Sequence, residues 1–254
     1  MIVIFLYGLI IGSFLNVCIY RIPRGESIAF PPSHCSKCKY KIKWYDNIPI
    51  ISYLIIKGKC RNCKESISIQ YPLIEGLNGI MYLILYENFG FSIDFIFFAL
   101  ITSVLVVVTI IDLVDMLIPD VLIIIIFTLE IFHKLSLYFI NDVSLNLLDS
   151  LLGILVSGGL FLLIVFVSRG GMGHGDVTLI SSLGFILGLK LIILNIFLSF
   201  CIGALISIFL LITKIKNKKD PIPFGPFIII SFFIVLFYGT NILYWYFSFY
   251  KYGS

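Results

Sequence analysis

Residues 95–111 read FIFFALITSVLVVVTII, and Asp112-Leu113-Val114-Asp115-Met116-Leu117-Ile118-Pro119-Asp120 follows directly. As an α-helix, an uncharged run of this length makes a rod of about 25 Å, close to the hydrocarbon thickness of a bilayer. A carboxylate at the end of such a rod sits where lipid meets water, an expensive place for a charge without a use. Outward from this stretch, four more uncharged windows occur at 2–20, 150–168, 191–213 and 221–250. Three weaker ones complete the set: 71–86 contains Glu75, 119–139 contains Glu130, His133 and Lys134, and 177–189 is short. The count predicts an all-α polytopic membrane protein with about eight transmembrane helices. Composition agrees: 60% of the 254 residues are apolar or aromatic and only 13% are charged, with a mean hydropathy of +1.09. A soluble domain of this size has too little polar surface to cover that much hydrocarbon.

The first window has no basic residue before its apolar run and no small-residue cleavage pattern after it, so it reads as a retained anchor. Basic residues set the orientation. With the N-terminus outside, segments 21–70, 112–118, 169–176 and 214–220 face the cytosol and hold 15 of the 18 Lys and Arg, leaving Lys134, Lys190 and Lys251 elsewhere. The opposite orientation would invert that bias.

Segment 21–70 is the one long polar stretch and the candidate extramembrane domain. A piece this small needs a staple. It carries Cys35-Ser36-Lys37-Cys38 and Cys60-Arg61-Asn62-Cys63, two knuckles that can bring four thiolates around one Zn²⁺ in a small zinc-ribbon-like fold. The competing reading, a redox pair or disulfides, is disfavoured by the cytosolic placement and by the lack of a βαβ pattern. His34 reads as a neighbour of the site, and Cys18 and Cys201 as small buried hydrophobes. Membrane orientation accounts for the basic character of 21–70, so no nucleic acid is expected as a partner.

Two carboxylates stand apart. Asp112 ends the 95–111 run, whereas Asp115 and Asp120 read as marks of a wet boundary or as caps. Asp176 closes Gly170-Gly171-Met172-Gly173-His174-Gly175-Asp176, a glycine-rich stretch that permits close approach of another chain. Its bland reading is an N-cap at a helix start; a dinucleotide site fails for want of a preceding strand. The topology places Asp112 and Asp176 at one cytosolic depth on different hairpins. Two carboxylates brought together share a proton, so that one can activate water while the other polarises a carbonyl.

In order along the chain, these segments resemble the bacterial type 4 prepilin peptidases (prepilin leader peptidase/N-methyltransferases), a family of GxGD-type intramembrane aspartyl peptidases. The resemblance begins at Gly12-Ser13-Phe14-Leu15-Asn16-Val17 and Tyr20-Arg21, and takes in both cysteine pairs. It continues through Asp46-Asn47-Ile48-Pro49, Gly58-Lys59-Cys60-Arg61 and Tyr71-Pro72-Leu73-Ile74-Glu75. It then covers Asp112 with Ile118-Pro119-Asp120, Gly173-His174-Gly175-Asp176 and Pro223-Phe224-Gly225-Pro226. It implies a catalytic pair, Asp112 and Asp176, that removes the leader of prepilins and pseudopilins on the cytosolic side of the bacterial cytoplasmic (inner) membrane. It also implies N-methylation of the new N-terminus from S-adenosylmethionine. Structural zinc would be held by Cys35, Cys38, Cys60 and Cys63. The division expected is a first helix at 1–20, a zinc-binding and methyltransferase domain at 21–70 and a membrane-embedded peptidase domain at 71–254. Thr178 departs from the pattern, where the family commonly has Lys. Three other readings are a transporter relaying protons or cations through Glu75 and Glu130, a methyltransferase without peptidase activity, and a scaffold that docks partners on the zinc domain.

Overall fold

The computed structural model describes residues 1–35, 37–141, 146–168, 171–217 and 220–252. Ser36, Arg169, Gly170, Lys218 and Lys219, all assigned to cytosolic segments by the sequence, lie outside the described residues. The chain divides into two compact units, Met1–Ile111 and Asp112–Ser254.

In the first unit, α1 (Ile2–Arg21) packs against α3 (Gln70–Phe89). Small residues let the two backbones approach: a Cβ at Gly8 would fall 2.7 Å from Gly79 Cα, and one at Gly12 would fall 2.7 Å from Glu75 Cα. In hydrocarbon such packing, with hydrogen bonds between helices, replaces the hydrophobic drive available in water. Asn78 supplies the bonds. Its Nδ2 donates to Gly8 O at 2.8 Å, its Oδ1 accepts from Ser103 at 3.3 Å, and Tyr82 meets Ser103 at 3.0 Å. These contacts tie α3 to the middle of α4 (Ile93–Asp115). Between α1 and α3 lie 3-10 turns at Ile22–Arg24 and Trp44–Asn47, a short α2 (Ile51–Ile55), and two antiparallel bridges, His34–Lys41 and Lys59–Ser66. No longer strand occurs among the described residues.

The second unit takes the last turn of α4 and adds α5 (Asp120–Asn141), α6 (Leu147–Val167), α7 (His174–Ile212) and α8 (Gly225–Tyr252). Helix α7 is central and packs on α5, α6 and α8. Its 39 residues would span about 58 Å as one rod, nearly twice a bilayer core. Gly188 (φ 72°, ψ 176°) breaks it in two. The half-helix after the break is capped from α6, where Asp149 Oδ1 accepts the Leu189 N–H at 3.2 Å. The windows 177–189 and 191–213 are therefore two passes joined end to end, as the sequence predicts. Among the described residues, six helices are long and apolar enough to cross a membrane. The 20-residue α3 and the division of α7 at Gly188 would bring that count to the eight the sequence predicts, and the chain is a multi-pass membrane protein. The charged window 119–139 is tolerated because Glu130, 2% exposed, meets Lys134 at 3.0 Å and His133 at 3.5 Å on its own helix.

Candidate active site and metal centre

Asp112 lies in the last turn of α4, which runs one turn further than the apolar window. Met116 ends the helix at φ 52°, its N–H on Asp112 O at 3.0 Å. Asp176 lies in the first turn of α7, its N–H on Gly173 O at 3.2 Å. Both residues are buried, 5% and 8% exposed respectively, and Ile118 touches both Gly175, next to Asp176, and Gly225, which abuts Asp112 Oδ2. A third element completes the site. The N–H of Gly225, first residue of α8, donates to Asp112 Oδ2 at 3.0 Å, while Asp176 Oδ1 is buried without a hydrogen-bond partner.

The glycines here serve proximity and not unusual dihedrals, since none of Gly171, Gly173 and Gly175 has a positive φ. A Cβ at Gly175 would fall 2.8 Å from Ile118 Cβ, and one at Gly225 would fall 2.5 Å from Asp112 Oδ2 and 3.4 Å from Ile118 Cδ1. Ile118 is thus a wedge between the starts of α7 and α8. The positive ends of two helices and the end of α4 converge on one carboxylate pair, which suits bound negative charge. Held together and out of water, such a pair can transfer protons to and from a carbonyl substrate. Asp115, Asp120, His174 and Thr178 are exposed. Thr178 turns its hydroxyl back to Gly175 O at 3.0 Å. Sequence reasoning gave no role to Gly225 or Ile118; the available signal was a glycine-proline pair opening an apolar helix.

The four cysteines form a second cluster. All four Sγ atoms lie within 4.8 Å of one another, with Cys35–Cys63 at 3.8 Å and Cys38–Cys60 at 3.9 Å. A tetrahedron with Zn–S bonds of 2.3 Å has edges of about 3.8 Å, so the donor set fits a metal of that kind. Each knuckle is built alike. Cys35 N–H bonds Tyr40 O at 2.9 Å and Lys39 N–H returns to Cys35 O at 3.0 Å; Cys60 and Lys64 repeat the pattern with Glu65 O at 2.8 Å and Cys60 O at 3.0 Å. Lys39 and Lys64 take positive φ, 57° and 61°, at the same point of each turn. Backbone N–H groups turned toward sulfur favour thiolates: that of Tyr40 lowers Cys38 to about 6, and those of Cys63 and Asn62 lower Cys60. Cys63 receives the Glu65 N–H, yet burial and the crowded neighbouring sulfurs push it up to about 11. Four sulfurs in so small a space need a cation to be thiolates together. His34 stands outside the quartet, its Nδ1 at 3.0 Å from Pro32 O.

The Bacterial Peptidase A24 N-terminal domain matches residues 6–89, which include the four cysteines, and the Type IV leader peptidase family matches residues 99–208, which include both aspartates. A prepilin leader peptidase/N-methyltransferase of Aeromonas salmonicida (strain A449) is 32% identical over 276 residues, covering 96% of this chain and 93% of its own. Those of Bacillus subtilis (strain 168) and Pseudomonas aeruginosa (strain PAO1) are 34% and 31% identical, covering 96% and 93% of this chain and 96% and 90% of their own. No solved structure matches. With relatives at this identity along almost its whole length and both family domains in order, the chain belongs to the type IV leader peptidase family of prepilin leader peptidase/N-methyltransferases.

Proposed function

We propose that this chain cleaves the leader from type 4 prepilins and pseudopilins in the bacterial inner membrane, on its cytosolic side, with Asp112 and Asp176 as the catalytic residues. The observation that carries this reading is a buried carboxylate pair in which one oxygen of Asp112 is anchored and one oxygen of Asp176 is left unpartnered. Gly225 N–H holds Asp112 Oδ2, whereas the buried Asp176 Oδ1 has no hydrogen-bond partner among the described residues, an acceptor left over for a catalytic water or the substrate. One carboxylate takes a proton from water as its oxygen attacks the scissile carbonyl carbon, and the other gives its proton to the carbonyl oxygen. The tetrahedral intermediate then collapses. The C–N bond breaks, the departing nitrogen takes up a proton, and the pair again shares one.

On this reading residues 71–254 are the peptidase domain, and 21–70 is a cytosolic domain in which Cys35, Cys38, Cys60 and Cys63 hold a structural zinc. Methylation of the new N-terminal amine is the second activity. S-adenosylmethionine, when bound, supplies an electrophilic methyl group. The transporter reading loses its residues: Glu130 pairs with Lys134, and Glu75 Oε2 accepts the Ile50 N–H at 2.8 Å.

Co-expression with a prepilin, followed by intact-mass measurement, tests the proposal, because leader loss and methyl gain are separate mass changes. The expected product is shortened by its leader and heavier by one methyl group. A prepilin left at full length beside correctly inserted protein would overturn the peptidase reading.

A further inference from the structure

Residues 48–56, Ile-Pro-Ile-Ile-Ser-Tyr-Leu-Ile-Ile, lie within the segment expected to be wholly cytosolic, yet carry no charge. Their anchor places them lower. Ile50 N–H donates to Glu75 Oε2 at 2.8 Å, and Glu75 lies five residues into α3. There it packs against Gly12 of α1, whose Cβ would fall 2.7 Å from Glu75 Cα. Gly12 precedes Arg21, the first charge on α1, by nine residues, about 13 Å along a helix. A glutamate side chain is much shorter than that, so Ile50 sits below the level of Arg21 and beside the apolar body of α1.

The neighbouring side chains agree. On α2, Ile51, Leu54 and Ile55 are 55%, 67% and 67% exposed. A cleft of about 610 Å³ separates the segment from α1, with Leu6, Ile10 and Phe14 on one side and Ile28, Ile48 and Ile51 on the other. At either end the run meets groups suited to the headgroup layer. Lys43, Trp44 (81% exposed) and Tyr45 precede it, and Lys57, in a turn with Gly58, and then Lys59 follow it. Tryptophan, tyrosine and lysine are the residues that settle at a membrane interface, where lysines meet anionic phospholipid.

We propose that residues 48–56 are a re-entrant element whose partner is the lipid bilayer. Ile51, Leu54 and Ile55 are immersed in acyl chains, Trp44 and the flanking lysines lie among anionic headgroups, and Glu75 pins the base of the element. The four-cysteine module is thereby held flat against the membrane, anchored at a third point besides α1 and α3. This inference is independent of the peptidase reading.

The chain has two tryptophans, Trp44 and Trp245, which makes fluorescence a direct test. Trp245→Phe leaves Trp44 as the reporter, and Trp44→Phe with Trp245→Phe and Leu54→Trp moves it to α2. Each protein is placed in nanodiscs of phosphatidylcholine and phosphatidylglycerol, with or without brominated acyl chains. The Leu54→Trp reporter should lose most of its emission to brominated lipid and little to aqueous acrylamide, and Trp44 should be quenched by lipid brominated near the carbonyls. Adding Glu75→Ala should raise acrylamide quenching of the α2 reporter. Quenching by acrylamide and not by lipid would place the segment in water, and protection from both would mean a protein partner or second copy covers it. Either result, seen with the unaltered Trp44 as well, would overturn the proposal.

Discussion

Adding one methyl group at position 225 would change how Asp112 is held. The Cβ of an alanine there would fall 2.5 Å from Asp112 Oδ2, too close for the carboxylate to keep its place or its bond to the residue 225 N–H. A hydrogen bond to a charged group contributes about 1.5–3 kcal/mol, so Gly225→Ala should slow cleavage by roughly ten- to a hundredfold. Quantitative cleavage assays on detergent-purified variant and parent check this; a rate within about twofold of the parent would remove Gly225 from the site. The aspartates themselves were legible because carboxylates at the ends of uncharged runs are conspicuous. Gly225 was legible as part of the 223–226 stretch but not in its role, because it lies 113 residues from Asp112 and acts through its backbone N–H, which every non-proline residue carries. Only folding distinguishes it. Ile118 was hidden for a similar reason, an isoleucine among isoleucines until its neighbours are known.

Helix α7 shows what an element needs beyond an apolar pattern. The sequence divides it into two spans because Lys190 interrupts the run, and the structure places the break two residues earlier, where Gly188 takes φ 72°. Alanine at 188 would be strained in that conformation and would bring its Cβ within 2.0 Å of Asp149 Oδ2. Gly188→Ala should therefore destabilise the second unit by at least about 1–3 kcal/mol. Asp149→Ala, which removes the cap from Leu189, should cost about 1 kcal/mol. Reversible denaturation in mild detergent measures both, and an unchanged midpoint for Gly188→Ala would contradict the break. The knuckles were legible for the opposite reason: the paired spacing of four cysteines is itself the ligand geometry. Cys60→Ser should release the metal, measurable by elemental analysis of freshly purified protein, and should diminish methylation while leaving leader removal. Full metal retention by that variant would count against the four-thiolate site. Nothing in the residue pattern warned that 48–56 leaves the cytosolic level, because nine uncharged residues are too few for any rule about spanning helices. The bond from Ile50 to Glu75 reveals it.

For the whole molecule, the alternation of charged loops and apolar runs was enough to predict both the number of passes and a definite sidedness. The sidedness has its own check at two open glycines. Gly25 and Gly90 each have positive φ and nothing within 4 Å of a would-be Cβ, so a short epitope inserted at either should leave the fold intact. In spheroplasts, an antibody should reach the epitope at 90 without permeabilisation and the one at 25 only after it; the reverse pattern would invert the topology. On the proposed assignment the two units also divide the chemistry, with Cys35, Cys38, Cys60 and Cys63 in Met1–Ile111 and Asp112 and Asp176 in Asp112–Ser254. Damage to one should leave the other measurable. The central claim is that Asp112 and Asp176 act as one catalytic unit, and it is tested most directly by prepilin cleavage with Asp112→Asn, Asp176→Asn and the double variant, normalised to inserted protein with its metal retained. An amide cannot take the proton from water, so each single variant should abolish leader removal, and the double variant should be scarcely worse than either. Near-normal cleavage by either single variant would contradict the account.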